Sequence, residues 1–268
     1  MAEKEIDNTE RASAPPQETS EIRRIHRRNG ISVVIRARNE EQPLGRLFDI
    51  LDHQTVKPDQ IVVVDNASTD NTRGLALERG AEVVDVPEGE FTYPKSMNLG
   101  MAHASEDLVT LMTAHSFPIH DDFLERGAMY FQEPEVAGVY AGTIPRRDTS
   151  RTDRFLAPFF ELASKRWETR IEDKAYHSIM GATNSMLRRA LWEQRPFDEK
   201  FGLGGEDGDW ARWALNEGYV IINDNHFMVD HSHGLSPLGW IRQLNEWGGM
   251  TSGKQFDPSA ISYRRKDL

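Results

Sequence analysis

Two adjacent carboxylates, Glu206 and Asp207, are the residues of this 268-residue chain best suited to acid–base chemistry. They follow Gly205, and the spacing of Trp210 to Ala214 predicts that a helix with one apolar face begins at the pair. Carboxylates at a buried helix start are costly to desolvate unless a reaction uses them or a partner compensates them. Helix capping is the alternative, because the helix dipole favours acids in the first turn. On this segment alone, capping is favoured.

A second polar group follows the first predicted strand, residues 31–35, and consists of Arg36, Arg38, Asn39 and Glu40. It places two cations and a carboxamide where a phosphate or a base edge could bind. The next predicted strand ends on Asp65, whose carboxylate could accept hydrogen bonds from a base or a ribose. Neither G-x-G-x-x-G after the first strand nor G-x-x-x-x-G-K-[ST] occurs, so neither common nucleotide fingerprint is met.

Short β-branched runs alternate with amphipathic helical segments from residue 31 onward, which predicts βαβ units and a mostly parallel sheet. Ligands of such sheets collect at the carboxyl ends of the strands, which here carry residues 36–39, 65–70 and 113–116. The predicted strands cover residues 31–35, 61–64, 82–86, 108–112, 136–140, 180–187, 219–222 and 226–229, and the predicted helices cover residues 43–51, 71–79, 95–104, 122–131, 153–166 and 206–216.

Composition narrows the class of protein. The formal net charge of -11 argues against bulk electrostatic binding of nucleic acid. The absence of cysteine excludes disulfides, thiolate catalysis and cysteine-ligated zinc, and agrees with a reducing compartment. No run of about 18 apolar residues predicts a membrane-spanning helix. We therefore expect a cytoplasmic protein, for which peripheral contact with a membrane through an amphipathic segment, residues 237–250, stays open.

Four segments in order resemble family 2 glycosyltransferases, which have the nucleotide-sugar-binding GT-A fold. They are residues 31–40, residues 60–70, residues 95–100 and the Glu206-Asp207 pair ahead of Asp209-Trp210. The resemblance spans about residues 30 to 233. It implies an α/β GT-A fold with a mixed, mostly parallel central sheet flanked by helices.

The implied organisation is a single GT-A domain over residues 30–250. Within it, about residues 30–120 form the nucleotide-binding half and residues 121–235 the acceptor half. Residues 1–29 are interpreted as a disordered tail and linker, and residues 251–268 as a C-terminal tail.

The resemblance also implies a metal site, with one departure from the family pattern. The family's Asp-x-Asp motif is replaced by Thr113-Ala114-His115. Imidazole suits Mn²⁺ or Zn²⁺ better than Mg²⁺, which prefers oxygen ligands. A histidine variant of the motif, completed by His231 or His233, would therefore hold a divalent ion, with Mn²⁺ favoured over Mg²⁺. Alternatively, His115 donates a hydrogen bond to a phosphate without any metal.

The remaining roles are those that the resemblance implies. Asp207 is the base that takes the proton of the acceptor hydroxyl, and Glu206 positions the acceptor; a nearby carboxylate and partial burial would raise the pKa of the base. Asn184 and Trp210 are expected on the acceptor side, although core packing is an alternative for the tryptophan. The expected nucleotide-binding residues are Arg36, Arg38, Asn39, Glu40, Asp65, Asn66, Lys95, Asn98 and Thr113; a helix-start role is an equal alternative for Lys95 and Asn98.

The predicted function is transfer of a sugar, with inversion, from a nucleotide-sugar donor to a hydroxyl acceptor. The acceptor would be a glycan, a polysaccharide or a lipid-linked saccharide. One rival is a catalytically inactive protein that binds nucleotide sugars, which the missing aspartates make plausible. A nucleotidyltransferase ranks third, because such enzymes carry a glycine-rich phosphate loop after the first strand and residues 36–39 do not form one.

Overall fold

The computed structural model describes residues 29–87, 89–164, 168–174, 179–202, 204–232, 234, 236–239 and 241. The strands are β1 (Ile31–Ala37), β2 (Gln60–Asp65), β3 (Glu82–Asp85), β4 (Leu108–Thr113), β5 (Ser116–Pro118), β6 (Val136–Tyr140), β7 (Thr143–Ile144), β8 (Arg170–Glu172), β9 (Asn184–Arg188), β10 (Val220–Asn223) and β11 (Val229–His231). The helices are α1 (Glu41–Asp52), α2 (Thr72–Glu78), α3 (Tyr93–His103), α4 (Phe123–Met129), α5 (Arg151–Ser164), α6 (Arg189–Gln194) and α7 (Glu206–Asn216), with 3-10 turns at Tyr130–Gln132, Glu199–Phe201 and Asn225–Phe227.

The central sheet has eight strands in the order β3-β2-β1-β4-β9-β6-β10-β8. The pairs among β1 to β4 are parallel, whereas β9 runs antiparallel to both β4 and β6. This is the mixed, mostly parallel sheet predicted from the alternation of strands and helices. The carboxyl ends of β1, β2 and β4, together with the loops that follow them, are called the carboxyl edge below.

Helices cover both faces of this sheet. Alternate residues of β1 point to opposite faces, so this strand packs against both helix layers. Val33 and Ile35 pack in one apolar core with the buried leucines of α1, and Val34 packs in a second core with residues of α3 and α7. Gly100 lets α3 lie close to the sheet, since a Cβ there would come within 2.2 Å of a Val34 methyl carbon. The two layers therefore fix where α3 and α7 begin, at the carboxyl edge.

A small second sheet, in the order β5-β11-β7, extends this edge. Strand β11 runs antiparallel to β5, with His231 opposite Ser116. Because β5 begins two residues after β4, this pairing brings a late segment of the chain back to the end of β4. None of the described helices combines the length and apolar composition needed to cross a membrane.

Most helices and strands lie where the sequence predicted them. The exceptions are elements of a few residues or elements in the second half of the chain. Residues 225–227 form a 3-10 turn rather than the start of a strand, and β9 begins only at Asn184. The sequence did not predict β5, β7, β8 and α6, because elements of two to six residues carry too few positions to show a period. Most of the amphipathic segment 237–250, and the predicted tails up to residue 28 and from residue 251, lie outside the described residues.

Candidate active site

Two loops of the carboxyl edge, residues 38–41 after β1 and residues 65–72 after β2, are bound together and are called the loop pair. The Asn39 N–H donates to Ser68 Oγ (2.9 Å), and the Thr69 N–H donates to Asn39 Oδ1 (2.7 Å). The Glu40 N–H donates to Thr72 Oγ1 (2.7 Å). These bonds satisfy backbone donors that loops would otherwise expose, so the loop pair is fixed before any ligand binds.

Asp65 lies at the start of the second loop and is 3% exposed. Its carboxylate accepts the Ser68 N–H (3.0 Å) and the Ser68 hydroxyl, which closes a local turn. Asn66 is also buried, and its backbone N–H donates to the Ala37 carbonyl (2.9 Å). Both residues that were predicted to bind the nucleoside therefore also shape this loop.

Backbone strain is concentrated near this edge. Among the described residues, the non-glycines with positive φ are Asn39 (54°), Ala67 (51°) and Met180 (59°). The first two belong to the loop pair, and Met180 precedes β9, which begins beside the end of β4. Left-handed backbone at non-glycine residues is uncommon and clusters at functional sites.

His115 and His231 meet at the end of β4. Their rings stack with centroids 4.8 Å apart and an interplanar angle of 23°. His115 Nδ1 lies 2.7 Å from a Glu40 carboxylate oxygen, and His231 Nδ1 lies 3.1 Å from Ser116 Oγ. The structure thus brings together two of the three predicted metal-ligating histidines, and the third, His233, lies outside the described residues.

Glu206 and Asp207 begin α7 after the N-cap residue Gly205, whose φ is 103°. Asp207 is half-buried, and its carboxylate accepts the N–H groups of Ala182 (3.1 Å) and Gly208 (2.7 Å). Glu206 is 2% exposed, and its Oε2 is buried without a hydrogen-bond partner among the described residues. A buried unpaired carboxylate oxygen is costly, which capping alone does not explain.

Arg36 connects the end of β1 with this acidic pair. The Ala114 N–H donates to the Arg36 carbonyl (3.0 Å), and the guanidinium lies over the Tyr93 ring, 4.9 Å from its centroid. Burial lowers the pKa of Arg36, and electrostatic interactions with Glu206, Tyr93 and Asp207 oppose that shift. The side chains of β1, α3 and α7 therefore interact electrostatically at one edge of the sheet.

Both carboxyl groups of the acidic pair hold protons more tightly than usual. Burial and, to a smaller extent, the charge of Asp207 raise the pKa of Glu206 to about 7, and Arg36 opposes the shift. Burial also raises the pKa of Asp207, against the hydrogen bonds from Gly208 and Ala182. A base is most effective when its pKa lies near the working pH, so both groups are shifted toward the useful range.

Three of the predicted site residues form hydrogen bonds or ion pairs within the protein. The Asn98 amide donates to the Phe197 carbonyl (2.9 Å), and its oxygen accepts the Trp192 Nε1–H (3.0 Å). Lys95 forms an ion pair with Glu90. Asn184 is buried, and its amide donates to the carbonyls of Ala141, just after β6, and of Phe227.

Trp210 does not offer a face to an acceptor. Its ring is fully buried and packs near Phe197 and Trp213, with centroids 6.2 and 5.8 Å away. This result agrees with the core-packing alternative, because a ring on the inward side of α7 fills space against the sheet. Two other predicted residues lie at the edge: Arg38 is exposed within the loop pair, and Thr113 Oγ1 lies 2.6 Å from Ser116 Oγ.

A second group of potential metal ligands lies elsewhere. Among the described residues, His120, Asp122 and His226 are the group whose three ligand atoms all lie within 4.8 Å of one another. The His120 carbonyl accepts from Gln54, just beyond the end of α1, whereas Glu40, which contacts His115, precedes α1. Helix α1 has 12 residues and is about 18 Å long, so the two histidine pairs lie near opposite ends of it.

The comparisons with known proteins agree with this geometry. Residues 32–195, more than half of the chain, match the family model described as glycosyl transferase family 2. The chain belongs to this family. Family 2 glycosyltransferases transfer sugars, so the chain is a glycosyltransferase, and the inactive binding protein considered above is not favoured.

The glycosyltransferase resembles two curated relatives over most of its length. It is 23% identical over 213 residues to the O-antigen chain rhamnosyltransferase RfbN of Salmonella typhimurium, covering 77% of this chain and 68% of the relative. It is 26% identical over 243 residues to the O-antigen chain rhamnosyltransferase WbaN of Salmonella anatum, covering 82% and 76%.

Among solved structures, the glycosyltransferase resembles the mannosyltransferase PcManGT of Pyrobaculum calidifontis, determined in complex with GDP-Man and Mn²⁺. The TM-score is 0.60 at 20% identity, covering 81% of this chain and 60% of the other. Such a likeness shows the fold, and the GT-A fold predicted from the sequence is confirmed.

Two contacts at the site were not predicted. The Ala182 N–H that holds Asp207 is a backbone group, so its residue type carries no signal. Tyr93, which lies against Arg36, begins α3 two residues before the predicted start. Thr92 followed by Pro94 is a signal for that earlier start, because threonine is a good N-cap and proline is favoured in the first turn.

Proposed function

We propose that this enzyme transfers a sugar from a nucleoside diphosphate donor to a hydroxyl group of a saccharide, with inversion at the anomeric carbon. The observation that carries the proposal is the pair of carboxyl groups with raised pKa values at the start of α7, within electrostatic reach of Arg36 at the end of β1. A base and a cation at one sheet edge suit a reaction that removes a proton and displaces a diphosphate.

In the proposed reaction Asp207 accepts the proton of the acceptor hydroxyl as the oxygen attacks the anomeric carbon. The new carbon–oxygen bond forms on the face opposite the diphosphate, which leaves with the electron pair of the broken bond. Asp207 suits this role better than Glu206, because it is half-buried rather than fully buried and two backbone N–H groups orient it. Glu206, whose own pKa is raised in part by the charge of Asp207, is proposed to position the acceptor.

The loop pair and its neighbours are proposed to bind the nucleotide. Arg38 is exposed and can approach a phosphate, while Asp65, Asn66, Lys95 and Thr113 are proposed to line the nucleoside side. The hydrogen bonds that Asp65 already accepts do not prevent this, because a carboxylate has about four acceptor sites. Asn39, Glu40 and Asn98 contribute by holding loops and helix starts in place.

Two histidines fit a divalent ion at this edge. A Glu40 carboxylate on His115 Nδ1 and a Ser116 hydroxyl near His231 Nδ1 are partners of the kind that orient metal-binding imidazoles. The donor set favours Mn²⁺ over Mg²⁺, and phosphate oxygens would complete the coordination. A bound ion would neutralise charge on the leaving diphosphate. His233 is a further proposed ligand, and His115 acting on a phosphate without metal is the alternative.

The names of two relatives support a proposal for the sugar and the acceptor. Both curated relatives are named as O-antigen chain rhamnosyltransferases, so we propose rhamnose as the sugar and a lipid-linked saccharide as the acceptor. A lipid-linked acceptor requires the enzyme to work at a membrane surface, and we propose that it does so as a peripheral protein in the cytoplasm.

A donor screen tests this proposal. Purified enzyme is incubated with nucleoside diphosphate esters of rhamnose, mannose and glucose, in Mn²⁺, in Mg²⁺ and in a chelator, and release of the nucleoside diphosphate is measured. We expect release from the rhamnose donor, stimulated by Mn²⁺ and increased by a saccharide acceptor. Proton NMR of the product then shows the configuration at the new bond. Retention of the donor configuration, or binding of donors without any turnover, would refute the proposed mechanism.

A further inference from the structure

The outward side of α5 is unusually apolar for a helix on a protein surface. Phe155 is 68% exposed, Phe159 is 60% exposed and Leu162 is 60% exposed. These residues lie at positions i, i+4 and i+7, so they share one side of the helix. Arg151, Arg154 and Pro158 are exposed on the same side. The six residues are called the outer stripe.

The outer stripe carries positive charge in an acidic protein. The whole chain has a formal net charge of -11, yet the stripe contains two arginines and no acid. The acids of α5 are engaged elsewhere. Asp153 is buried and accepts the hydroxyls of Thr149 and Ser150, and Glu161 forms an ion pair with Arg147. The stripe therefore combines large apolar side chains with two arginines that form no ion pair among the described residues, the composition of helices that lie in a membrane interface.

The position of α5 connects the stripe to the carboxyl edge. Strand β7, which leads into α5, pairs with β11, and the Arg146 N–H donates to Ser232 Oγ (2.8 Å), one residue after His231. Gly234 is also near Thr149, since a Cβ on that glycine would lie 3.9 Å from the threonine Cβ. The chain after β11 then exposes Leu238 (59%) and Ile241 (56%). The start of α5 therefore lies near β11, which carries His231.

We propose that the outer stripe of α5 docks on an anionic lipid membrane, with its phenylalanines and leucine in the interface and its arginines near the lipid phosphates. The proposal rests on the proposed function in one respect: docking would serve to bring the active site to a lipid-linked acceptor. The charges of two other possible occupants do not complement those of the stripe. A symmetric dimer through the stripe would bring four arginines together without an acid. Residues 242–268 contain five basic and three acidic residues, and so offer no excess of negative charge.

A single-cysteine probe tests the docking directly, because the chain has no cysteine. Phe159→Cys carries an environment-sensitive fluorophore, and Leu77→Cys on α2, where Leu77 is 50% exposed, is the matched control. We expect the emission of the probe at 159 to shift to the blue with phosphatidylcholine–phosphatidylglycerol vesicles and much less with phosphatidylcholine alone. The probe at 77 should not respond. Equal responses at both positions, or none at 159, would overturn the proposal.

Vesicle co-sedimentation separates the apolar and electrostatic contributions. Arg151→Gln with Arg154→Gln should weaken binding to anionic vesicles by about fivefold for each arginine at low salt. Phe155→Ser with Phe159→Ser should abolish it, whereas Leu77→Ser should not. A lower Tm in the phenylalanine double variant would show that the chain itself covers the stripe. Self-association that the same substitutions remove would show that a second copy does, and either result would overturn the proposal.

The outcome can be separated from that of the proposed function. Transfer to a water-soluble saccharide should be unchanged in the stripe variants, whereas transfer to a lipid-linked acceptor in vesicles should fall. If the unmodified enzyme shows vesicle binding but no sugar transfer, the docking surface stands and the proposed function fails. If it transfers sugar but does not bind anionic vesicles, the docking surface fails and the proposed function stands.

Discussion

The loop pair and the acidic pair lie on the same edge of the sheet, but the pKa values of their carboxyl groups are shifted in opposite directions. In the loop pair, burial acts to raise the pKa of Asp70, but hydrogen bonds from Thr72 and from the Glu41 N–H hold it below its ordinary value. In the acidic pair, burial dominates and raises the pKa values of Glu206 and Asp207. Hydrogen bonding therefore stabilises charge on one side, and desolvation destabilises charge on the other.

This difference separates residues that build the site from residues that can exchange protons. Where hydrogen bonds outweigh desolvation, as at Asp70, the carboxylate stays ionised and fixes a loop, so it contributes stability. A buried carboxylate with an unpaired oxygen costs stability and is retained at functional sites. Substitutions in the acidic pair should therefore change activity and pH dependence, whereas substitutions in the loop pair should first change stability.

The largest expected effect is that of Asp207→Asn. The amide can still accept the Ala182 N–H but cannot take up a proton, so transfer should fall by about 10²–10⁴-fold while folding is retained. The measurement is the rate of nucleoside diphosphate release with donor and acceptor present. Unchanged turnover would mean that another group is the base.

Asp209→Asn is the control for charge in the same helical turn. Asp209 forms ion pairs with Arg195 and Arg212 and stands outside the proposed reaction. This substitution should lower Tm but leave the rate of folded enzyme near that of the unmodified protein. An equal loss of rate in both variants would mean that any change of charge in this helical turn impairs the reaction. Residues that support the structure could then not be distinguished from residues that exchange protons.

Glu206→Gln should stabilise the protein at high pH. The pKa of Glu206 is about 7 in the folded state against an ordinary value of 4.5. Below pH 4.5 the carboxyl group is protonated in both states and costs nothing. Between pH 4.5 and 7 the unfolded chain ionises first, so the folded protein loses stability as pH rises. Glutamine removes that loss, a gain of up to about 3 kcal/mol above pH 7.

Urea unfolding at several pH values measures this difference. The two proteins should have similar free energies of unfolding near pH 4.5, diverge as pH rises toward 7, and keep a constant difference at higher pH. A variant that is less stable than the unmodified protein at all pH values would show that Glu206 is ionised and well compensated in the folded state. The loop pair and the acidic pair would then both hold ionised carboxylates, and the contrast between them would not hold.

The next effect concerns the contact between Glu40 of the loop pair and His115 at the end of β4. Glu40→Gln should weaken Mn²⁺ binding in the presence of a nucleoside diphosphate by about 10–100-fold, because it removes the carboxylate that orients the imidazole. His115→Ala should weaken it at least as much. Calorimetry with Mn²⁺ measures both.

His120→Ala is the matched control, since His120 belongs to the separate group with Asp122 and His226. It should leave nucleotide-dependent Mn²⁺ binding unchanged. If His120→Ala abolishes that binding and His115→Ala does not, the ion binds at the other end of α1.

The sequence predicted the fold better than it predicted the contacts of individual side chains. Strand–helix alternation identified β1 to β4 and their helices, because long periodic segments show where their buried faces lie. The helix over Glu206–Asn216 was predicted with the bounds that the structure shows. Strand β11 was misplaced, because β5, β7 and β11 have only two or three residues each and pair across 115 positions of sequence.

The site residues show the same limit. The motif order placed Asp207 and His115 at one edge of the sheet, but residue type alone could not show which polar groups were already bound. Asn184 and Asn98 look like ligand-binding amides in the sequence, and the structure uses both to hold backbone groups. Trp210 looks like a sugar-stacking ring, and it packs in the core. Such outcomes depend on contacts distant in sequence, which no local pattern reports.

The smallest expected effect tests the loop pair itself. Asn39→Ala removes the acceptor of the Thr69 N–H and places a less tolerant residue at φ 54°, so we expect a loss of about 1–2 kcal/mol in unfolding free energy. Asn39→Asp keeps an acceptor oxygen and a side chain that tolerates this conformation, so it should be close to the unmodified protein in Tm and in donor KM. If the aspartate variant instead raises donor KM as much as alanine does while keeping its Tm, the amide contacts the donor directly. The loop pair would then take part in binding rather than only support it.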